Sequence, residues 1–245
     1  MPADWISDAE SICRSVCPEL SAVYIVLRAE LNSSFDQCGR CLGYTSPFLD
    51  VQLEPFLERD GRWAGRGFAT VIYEDAILAA WRARRPGFDV DWLLTTVVLH
   101  ELAHHTERGR SWRHKLAVEL AERPLKDWAN TGPPKLSREF LSFDADLPPW
   151  HNHGAEFIRS AIHVVHRAWT LCGFPIHSQQ IDAAGELYGL ASIGDYAHAL
   201  GDEPARLADR PLLEVLASDP PEAFSIFAAA DLAAAEAEWE RRSPT

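Results

Sequence analysis

The segment TTVVLHELAHHTERG, residues 95–109, carries two histidines four positions apart with a glutamate directly after the first. On a helix this spacing places His100 and His104 on one face, where both imidazoles can bind the same metal ion. Zinc accepts neutral imidazole nitrogen and is usually four-coordinate. Glu101 lies one position further round the helix, where it can take a proton from a water held on the metal. The H-E-x-x-H pattern therefore predicts a hydrolytic zinc centre with His100 and His104 as ligands and Glu101 as general base.

The same segment can also be interpreted as a core helix that happens to carry histidines. Residues 92–102 are apolar on most sides, which is typical of a buried helix. Histidines in such a helix can pack and hydrogen-bond without any metal. We favour the zinc site, because the complete motif falls on a strongly helical, apolar segment, as its mechanism requires.

A catalytic zinc needs a third protein ligand, and the best candidate lies in the later segment PPWHNHGAEF. The extended motif H-E-x-x-H-x-x-G-x-x-H is excluded, because the chain has Glu107 and Arg110 where that motif has glycine and histidine. His153 lies at the predicted start of a helix, where two rigid elements can hold a ligand. We therefore predict His153 as the third ligand, with His151 as the main alternative and Glu156 as a weaker one.

Four other histidines are less suited to bind the metal directly. His105 follows His104 and points about 100° away from it on a helix. His114 falls on a segment with the pattern of an exposed amphipathic helix. His163 and His166 lie inside the helix after residue 154, where they either support the site from behind or are satisfied interior histidines. We favour the interior interpretation for this last pair.

The elements that must position these residues follow from hydrophobic spacing and from helix-breaking residues. The pattern predicts a buried metal helix that begins at Asp89 or Asp91, a long structured loop over 124–150, and a helix over 154–171. The last seventy residues are alanine-rich and helical in pattern, with breaks at Gly201 and at the Pro220–Pro221 pair. The remaining predicted elements are a helix over 3–17, strands over 22–31, 48–56 and 68–74, and helices over 75–84 and 111–124.

Composition limits the partners of the chain. The 245 residues carry a formal net charge of −13, and only three of the basic residues are lysines. Such a charge argues against non-specific binding to nucleic acid or anionic lipid, although a local basic patch remains compatible with it. No apolar run approaches the length of a membrane span, and the acidic N-terminus is unlike a secretory signal. We therefore expect a cytoplasmic protein without membrane contact; its oligomeric state is left open.

The five cysteines are too few, and odd in number, for a disulfide scaffold. Cys38 and Cys41 form a C-x-x-C pair, and Cys13 and Cys17 lie four residues apart. The four could hold a structural zinc ion, or they could be unconnected thiols. We favour unconnected thiols.

The combination of HELAH with HGAEF resembles the SprT-like metalloprotease family, which includes the Spartan DNA–protein crosslink proteases. The resemblance implies that His100, His104 and His153 bind zinc and that Glu101 is the general base. It also implies an α+β, zincin-type core in which a small antiparallel sheet packs on the metal helix. The strand FATVIYE, over 68–74, is the candidate edge beside the substrate, where an extended peptide could pair with it.

These observations predict two regions and one principal function. A SprT-like zincin domain is expected over 1–175, followed by a C-terminal helical extension over 176–245. The expected function is that of a zinc metallopeptidase that hydrolyses protein or peptide substrates. The alternatives are a catalytically silent zinc-binding scaffold and a DNA-associated protease of the Spartan type.

Overall fold

The computed structural model describes residues 4–31, 42–45, 49–84, 89–107, 153–177, 180–181 and 191–242. Over these residues the chain is α+β, as predicted, with one small sheet among many helices. The described strands are β1 (Val23–Leu27), β2 (Gly43–Tyr44) and β3 (Phe68–Ile72). The described helices up to residue 107 are α1 (Asp4–Val16), α2 (Leu49–Arg59), α3 (Glu74–Arg84) and α4 (Val90–Thr106).

The sheet is mixed, whereas the resemblance implies an antiparallel one. In the described residues the strand order is β1-β3-β2. β1 runs parallel to β3, with Val23 opposite Phe68, while β2 runs antiparallel to β3, with Gly43 opposite Ile72. The parallel pair follows from the long connection between β1 and β3, which includes helix α2 and brings the chain back in the same direction.

The segment FLDVQLEPF is predicted as a strand, and this prediction is wrong. Residues 49–59 form helix α2. Leu49, Leu53 and Leu57 recur every fourth residue and are all buried. This spacing produces one continuous apolar face only on a helix. That face covers one side of the sheet, against Tyr24 and Val71.

The strand at FATVIYE is confirmed over Phe68–Ile72, but its predicted position at a sheet edge is wrong. β3 lies between β1 and β2 and is buried along its whole length. Its unbroken run of apolar and small residues is typical of a strand that is covered on both faces. The strand that borders the metal helix at an edge of the described sheet is β2 instead.

Helix α4 lies under the sheet, opposite α2, and is buried on nearly all of its sides. It begins at Val90, because the Asp89 side chain accepts a hydrogen bond from the backbone N–H of Asp91 at 3.0 Å. Asp89 is therefore the cap, which is one of the two predicted positions. The helix also packs against the long helix that follows residue 154. The metal motif is thereby held between two layers of the core.

The later helix is confirmed as α5 (Ala155–Cys172), which begins after Gly154 and ends at Gly173. Gly173 has φ of 66°, the left-handed conformation that commonly ends a helix. The predicted helical C-terminal region is confirmed over residues 191–242, with the predicted breaks at Gly201 and the proline pair and a further, unpredicted break at 207–211. Its described helices are α6 (Ile193–Leu200), α7 (Glu203–Arg206), α8 (Leu212–Ala217) and α9 (Glu222–Arg242).

Two buried arginines of α5 connect it to the ends of other helices. Arg159 donates to the carbonyl of Val215, and Arg167 donates to the carbonyls of Val16 and Leu207. Carbonyls at helix ends lack partners within the helix, so the guanidinium groups satisfy them. The main core accordingly contains side chains from both sides of residue 176. The predicted division at residue 176 stays a prediction.

None of the described helices combines the length and hydrophobicity required to cross a bilayer. The predicted helix over 111–124 and the predicted loop over 124–150 lie outside the described residues. So do His114, His151, Cys38 and Cys41. Cys13 and Cys17 are buried, and burial raises the pKa of both thiols above the ordinary cysteine value. The shift favours protonated thiols at these two positions, and the four-thiolate site stays a prediction.

Candidate metal centre

Three histidines converge where the end of α4 meets the start of α5. His100 and His104 lie one turn apart on α4, and His153 directly precedes the Gly154 cap of α5. His153 Nε2 lies 3.3 Å from His100 Nε2 and 3.2 Å from His104 Nε2. The ligand atoms of all three lie within 4.8 Å of one another, so the group could hold a metal ion. The two segments that were predicted to form the site therefore do lie together, and the predicted histidines are the residues that converge.

The far nitrogen of each α4 imidazole has an acceptor that fixes the tautomer. His100 Nδ1 lies 2.9 Å from the carbonyl oxygen of Ile181, and His104 Nδ1 lies 3.3 Å from Oε1 of Glu107. A carbonyl only accepts a hydrogen bond, so His100 Nδ1 carries the hydrogen and Nε2 keeps its lone pair. The carboxylate of Glu107 has the same effect on His104. Metal-binding histidines are commonly oriented in this way.

Burial keeps the imidazoles neutral, which is the form that binds a metal. His100 is only 4% exposed, and burial, together with the nearby His104, lowers its pKa to about 3. Burial also lowers the pKa of His153 far below the ordinary histidine value, and His104 and His100 add to the shift. Both rings are therefore uncharged at neutral pH. Three imidazole nitrogens whose ligand atoms converge, two of them held neutral by burial, have the chemistry of a site for a divalent transition metal.

Phe157 forms one wall of the centre. It lies in the first turn of α5 and is 3% exposed. Its ring centroid lies 4.2 Å from that of His104, 4.8 Å from that of His153 and 5.0 Å from that of His100. The aromatic residue of the HGAEF segment thus packs against all three imidazoles. It restricts their rotation and excludes water from one side of the group.

Glu101 is buried beside the histidines, between α4 and the sheet. It is 6% exposed, and it lies against Gly43 of β2. A Cβ atom at Gly43 would come within 2.8 Å of both Cγ and Oε1 of Glu101. Only glycine therefore allows β2 to approach the carboxylate this closely. The structure places Glu101 next to the histidine group, as the motif predicts, and adds a sheet edge beside it.

The other candidate residues lie elsewhere. His105 packs against Phe68 of the sheet, with ring centroids 5.3 Å apart. His163 Nε2 donates to Oε1 of Glu203 at 2.9 Å, away from the metal group, so the interior interpretation of this histidine is confirmed. Glu156 is exposed in the first turn of α5 and is not among the residues whose ligand atoms converge. His166 is half-buried on α5, and it too is outside that group.

Three supporting residues were not predicted. Glu107 follows His104 by three positions, which is a neighbouring position on a helix surface, so its spacing is a usable signal. The Ile181 carbonyl and Gly43 are brought to the site only by tertiary folding, and no local pattern marks them. Ile181 acts through its backbone carbonyl, which any residue would supply, and the glycine at position 43 does not by itself reveal which side chain packs against it.

No protein-family model matches this chain, and no curated protein or solved structure matches it. The group of His100, His104 and His153, with Glu101 beside it, is therefore interpreted on its own geometry.

Proposed function

We propose that this protein is a zinc-dependent metallopeptidase that hydrolyses peptide bonds in protein or peptide substrates. One observation carries the proposal: three imidazole Nε2 atoms converge beside a single buried glutamate. Catalytic zinc sites typically take three protein ligands and structural sites four, so a group of three histidines would suit a catalytic ion. Zinc bound there would supply a Lewis acid that acidifies a water molecule and polarises the substrate carbonyl.

The side chains of the chain have separate roles in this mechanism. His100, His104 and His153 would hold the ion through Nε2, and the acceptors behind His100 and His104 keep the lone pairs of these two nitrogens available. Glu101 removes the proton from the attacking water and then gives it to the leaving amine. Its burial beside the three imidazoles supports this role, because the packed side chain is held in position for the transfer.

A substrate position follows from the contact between β2 and Glu101. β2 forms one edge of the sheet in the described residues, and Gly43 brings this edge against the general base. An extended peptide that adds to a sheet edge presents its carbonyl groups along that edge. We place the substrate beside β2, in place of the β3 edge expected from the sequence. The arrangement supports the zincin-type core that the resemblance to the SprT-like family implies.

The buried glutamate favours an enzyme over a silent zinc scaffold. A scaffold needs the three histidines for stability, but it gains nothing from a carboxylate held out of water beside them. The burial of such a group costs free energy, so we take its presence as support for proton transfer.

The first experiment measures zinc per chain by elemental analysis in the parent, in His153→Ala and in His198→Ala. His198 is exposed on α6, so its variant is the matched control. We expect one zinc per chain in the parent and the control, and a large loss in His153→Ala. A parent that takes up no zinc after zinc is supplied would overturn the proposal.

The second experiment tests hydrolysis with zinc in place. Glu101→Gln keeps the shape of the side chain but removes the base. We expect it to retain zinc and to cleave an unfolded protein substrate at least about 100-fold more slowly than the parent. Equal cleavage rates in Glu101→Gln and the parent would show that Glu101 is not the base.

A further inference from the structure

Two buried hydroxyl groups connect helix α4 to helix α5. Oγ1 of Thr106 and Oγ of Ser160 lie 2.6 Å apart, and Ser160 Oγ lies 3.0 Å from the carbonyl oxygen of Ala103. Thr106 and Ala103 belong to α4, and Ser160 belongs to α5. Thr106 and Ser160 are 2% and 0% exposed, so water does not compete for these contacts. We call Thr106 and Ser160 the hydroxyl pair.

The hydroxyl pair makes a directional connection between the two helices. A hydroxyl group has one proton to donate and can also accept, whereas a carbonyl only accepts. A chain of hydrogen bonds from Thr106 through Ser160 to the Ala103 carbonyl uses one proton from each hydroxyl. In this arrangement both contacts between the helices are hydrogen bonds, and no buried hydroxyl is left unpaired.

The surroundings of the hydroxyl pair are apolar. Both helices contribute to the same hydrophobic core cluster, with Leu102 and Ala103 from α4 and Phe157 and Ala161 from α5 among its members. Apolar contacts have no preferred direction, so they specify the register of two helices less sharply than a hydrogen bond of fixed length does. A polar pair buried in an apolar interface is well suited to specify register.

The register of α5 determines the position of His153. His153 is joined to α5 through Gly154, whose carbonyl accepts a hydrogen bond from the N–H of Ile158 at 3.0 Å. A slide of α5 by one residue along its axis would move His153 by about 1.5 Å. Distances between a metal and its ligands tolerate a deviation of only about 0.2 Å. Such a slide would therefore remove His153 from the histidine group.

We propose that Thr106 and Ser160 are positioning residues for the metal centre. Their hydrogen bonds hold α5 in the register that brings His153 to His100 and His104. The hydroxyl pair acts through His153 and is not itself part of the ligand set. The inference rests on the metal binding that the proposed function requires, but it does not depend on hydrolysis.

Zinc affinity, measured with the whole chain by competition with a chromogenic chelator, tests the inference. Ser160→Ala removes both hydrogen bonds between the helices. Thr106 can then donate to the Leu102 carbonyl, 3.0 Å away, so its hydroxyl keeps a partner. We expect the zinc affinity of Ser160→Ala to fall about 10-fold, which corresponds to the loss of such bonds. Thr106→Val keeps the bond from Ser160 to Ala103, so we expect a smaller loss, about threefold.

Two further variants separate this role from a general effect of removing a hydroxyl. Thr106→Ser keeps the hydroxyl and should bind zinc like the parent. Thr96→Val is the matched control, because Thr96 is 1% exposed on the same helix and its hydroxyl donates within α4, to the Trp92 carbonyl at 2.9 Å. It should also bind zinc like the parent. The double variant Thr106→Val/Ser160→Ala should match Ser160→Ala alone, because both bonds pass through Ser160.

Cobalt substitution reports on the geometry of the metal centre. Co²⁺ absorbs visible light according to the number and arrangement of its ligands, so a displaced His153 changes the spectrum. We expect an altered cobalt spectrum in Ser160→Ala and a parent-like spectrum in Thr96→Val. The free energy of unfolding is measured in chelator, so that a loss of stability is known separately from metal binding.

The outcomes separate a positioning role from a purely structural one. Parent-like zinc affinity and an unchanged cobalt spectrum in Ser160→Ala, even with lower stability in chelator, would overturn the inference. An equal loss of zinc affinity in Thr96→Val would also overturn it. If Ser160→Ala does not fold, Thr106→Val is compared with Thr106→Ser: weaker zinc binding in the valine variant alone supports the inference, and equal affinities overturn it. Failure of the zinc-supplied parent to bind zinc would instead overturn the proposed function, and the positioning role with it.

Discussion

Gly43 of β2 lies against Glu101 of α4 so closely that a Cβ atom at position 43 would be 2.8 Å from the glutamate Cγ. It would also lie 2.9 Å from Cγ1 of Val97, one turn earlier on the helix. Both neighbours belong to a buried helix, so neither can move freely. The position of the sheet edge relative to the Glu101 carboxylate therefore depends on the absence of a side chain at position 43.

We expect Gly43→Ala to impair catalysis more than metal binding. The added methyl group must displace either β2 or the Glu101 carboxylate, whereas none of the three histidines lies on β2. A 1 Å displacement of a catalytic group can reduce the rate about 100-fold. Rates of peptide cleavage are compared with zinc content in the same samples. Full activity in a folded, zinc-containing Gly43→Ala protein would contradict the tight contact between β2 and Glu101.

Glu107 is expected to position His104 for the metal. Loss of a carboxylate behind a metal-binding histidine typically lowers metal affinity about 10- to 100-fold. We therefore expect weaker zinc binding in Glu107→Ala and an intermediate effect in Glu107→Gln, whose amide oxygen can still accept from Nδ1. Competition with a chromogenic chelator measures the affinity. Glu236→Ala, an exposed position on α9, serves as the control, and equal affinity in all four proteins would exclude a positioning role.

The histidine group was more predictable from the sequence than the sheet around it. The ligands of α4 follow from local spacing, because a helix brings residues four apart to one face. His153 could be predicted because it stands at a helix start that glycine marks. By contrast, the apolar residues of the short segment at 48–56 are compatible with either a strand or a helix. The spacing of its leucines was the signal that distinguishes the helix from the strand.

The order of the strands could not be derived locally either. A buried strand such as β3 shows only that both of its faces are covered, and its neighbours are determined by the long connections between strands. For the same reason, Gly43 and the Ile181 carbonyl could not be assigned to the site in advance. They are separated from α4 by long stretches of chain and contribute through backbone position.

Phe157 is expected to stabilise both the fold and the metal site. Its ring is 3% exposed and contacts all three imidazoles. Replacement of a buried phenylalanine by alanine typically lowers the free energy of unfolding by about 3–5 kcal/mol. We expect the free energy of unfolding of Phe157→Ala to be lower by this amount in chelator-treated protein. We also expect this variant to bind zinc more weakly than the parent. Phe157→Leu, which fills more of the space, should be milder in both measurements.

Chemical denaturation with and without chelator separates the two effects. If Phe157→Ala lowers the free energy of unfolding in chelator but leaves zinc affinity unchanged, Phe157 contributes only to the fold. Unchanged stability in chelator with weaker zinc binding would assign it to the metal site. Parent-like values in both measurements would contradict the packing of Phe157 against the histidines.

The buried pair of His163 and Glu203 is expected to make the fold sensitive to acid. Burial lowers the pKa of His163, so the unfolded chain takes up a proton near the ordinary histidine value of 6.5 while the folded chain does not. For Glu203, burial alone would raise the pKa, but the hydrogen bonds from His163 and Arg159 outweigh it and lower the pKa. Both shifts mean that the unfolded state binds more protons in acid, so stability is complete near neutral pH and falls as the pH drops.

We expect the free energy of unfolding of metal-free protein to fall between pH 7 and pH 5, and the slope to be smaller in His163→Gln. Each proton taken up only by the unfolded state contributes about 1.4 kcal/mol per pH unit. His163→Gln removes the histidine proton while the amide can still donate to Glu203, so its slope should decrease by up to this amount. The exposed His198→Ala variant should keep the slope of the parent. Urea denaturation at several pH values measures the slopes, and equal slopes in the parent and His163→Gln would show that His163 does not titrate differently in the two states.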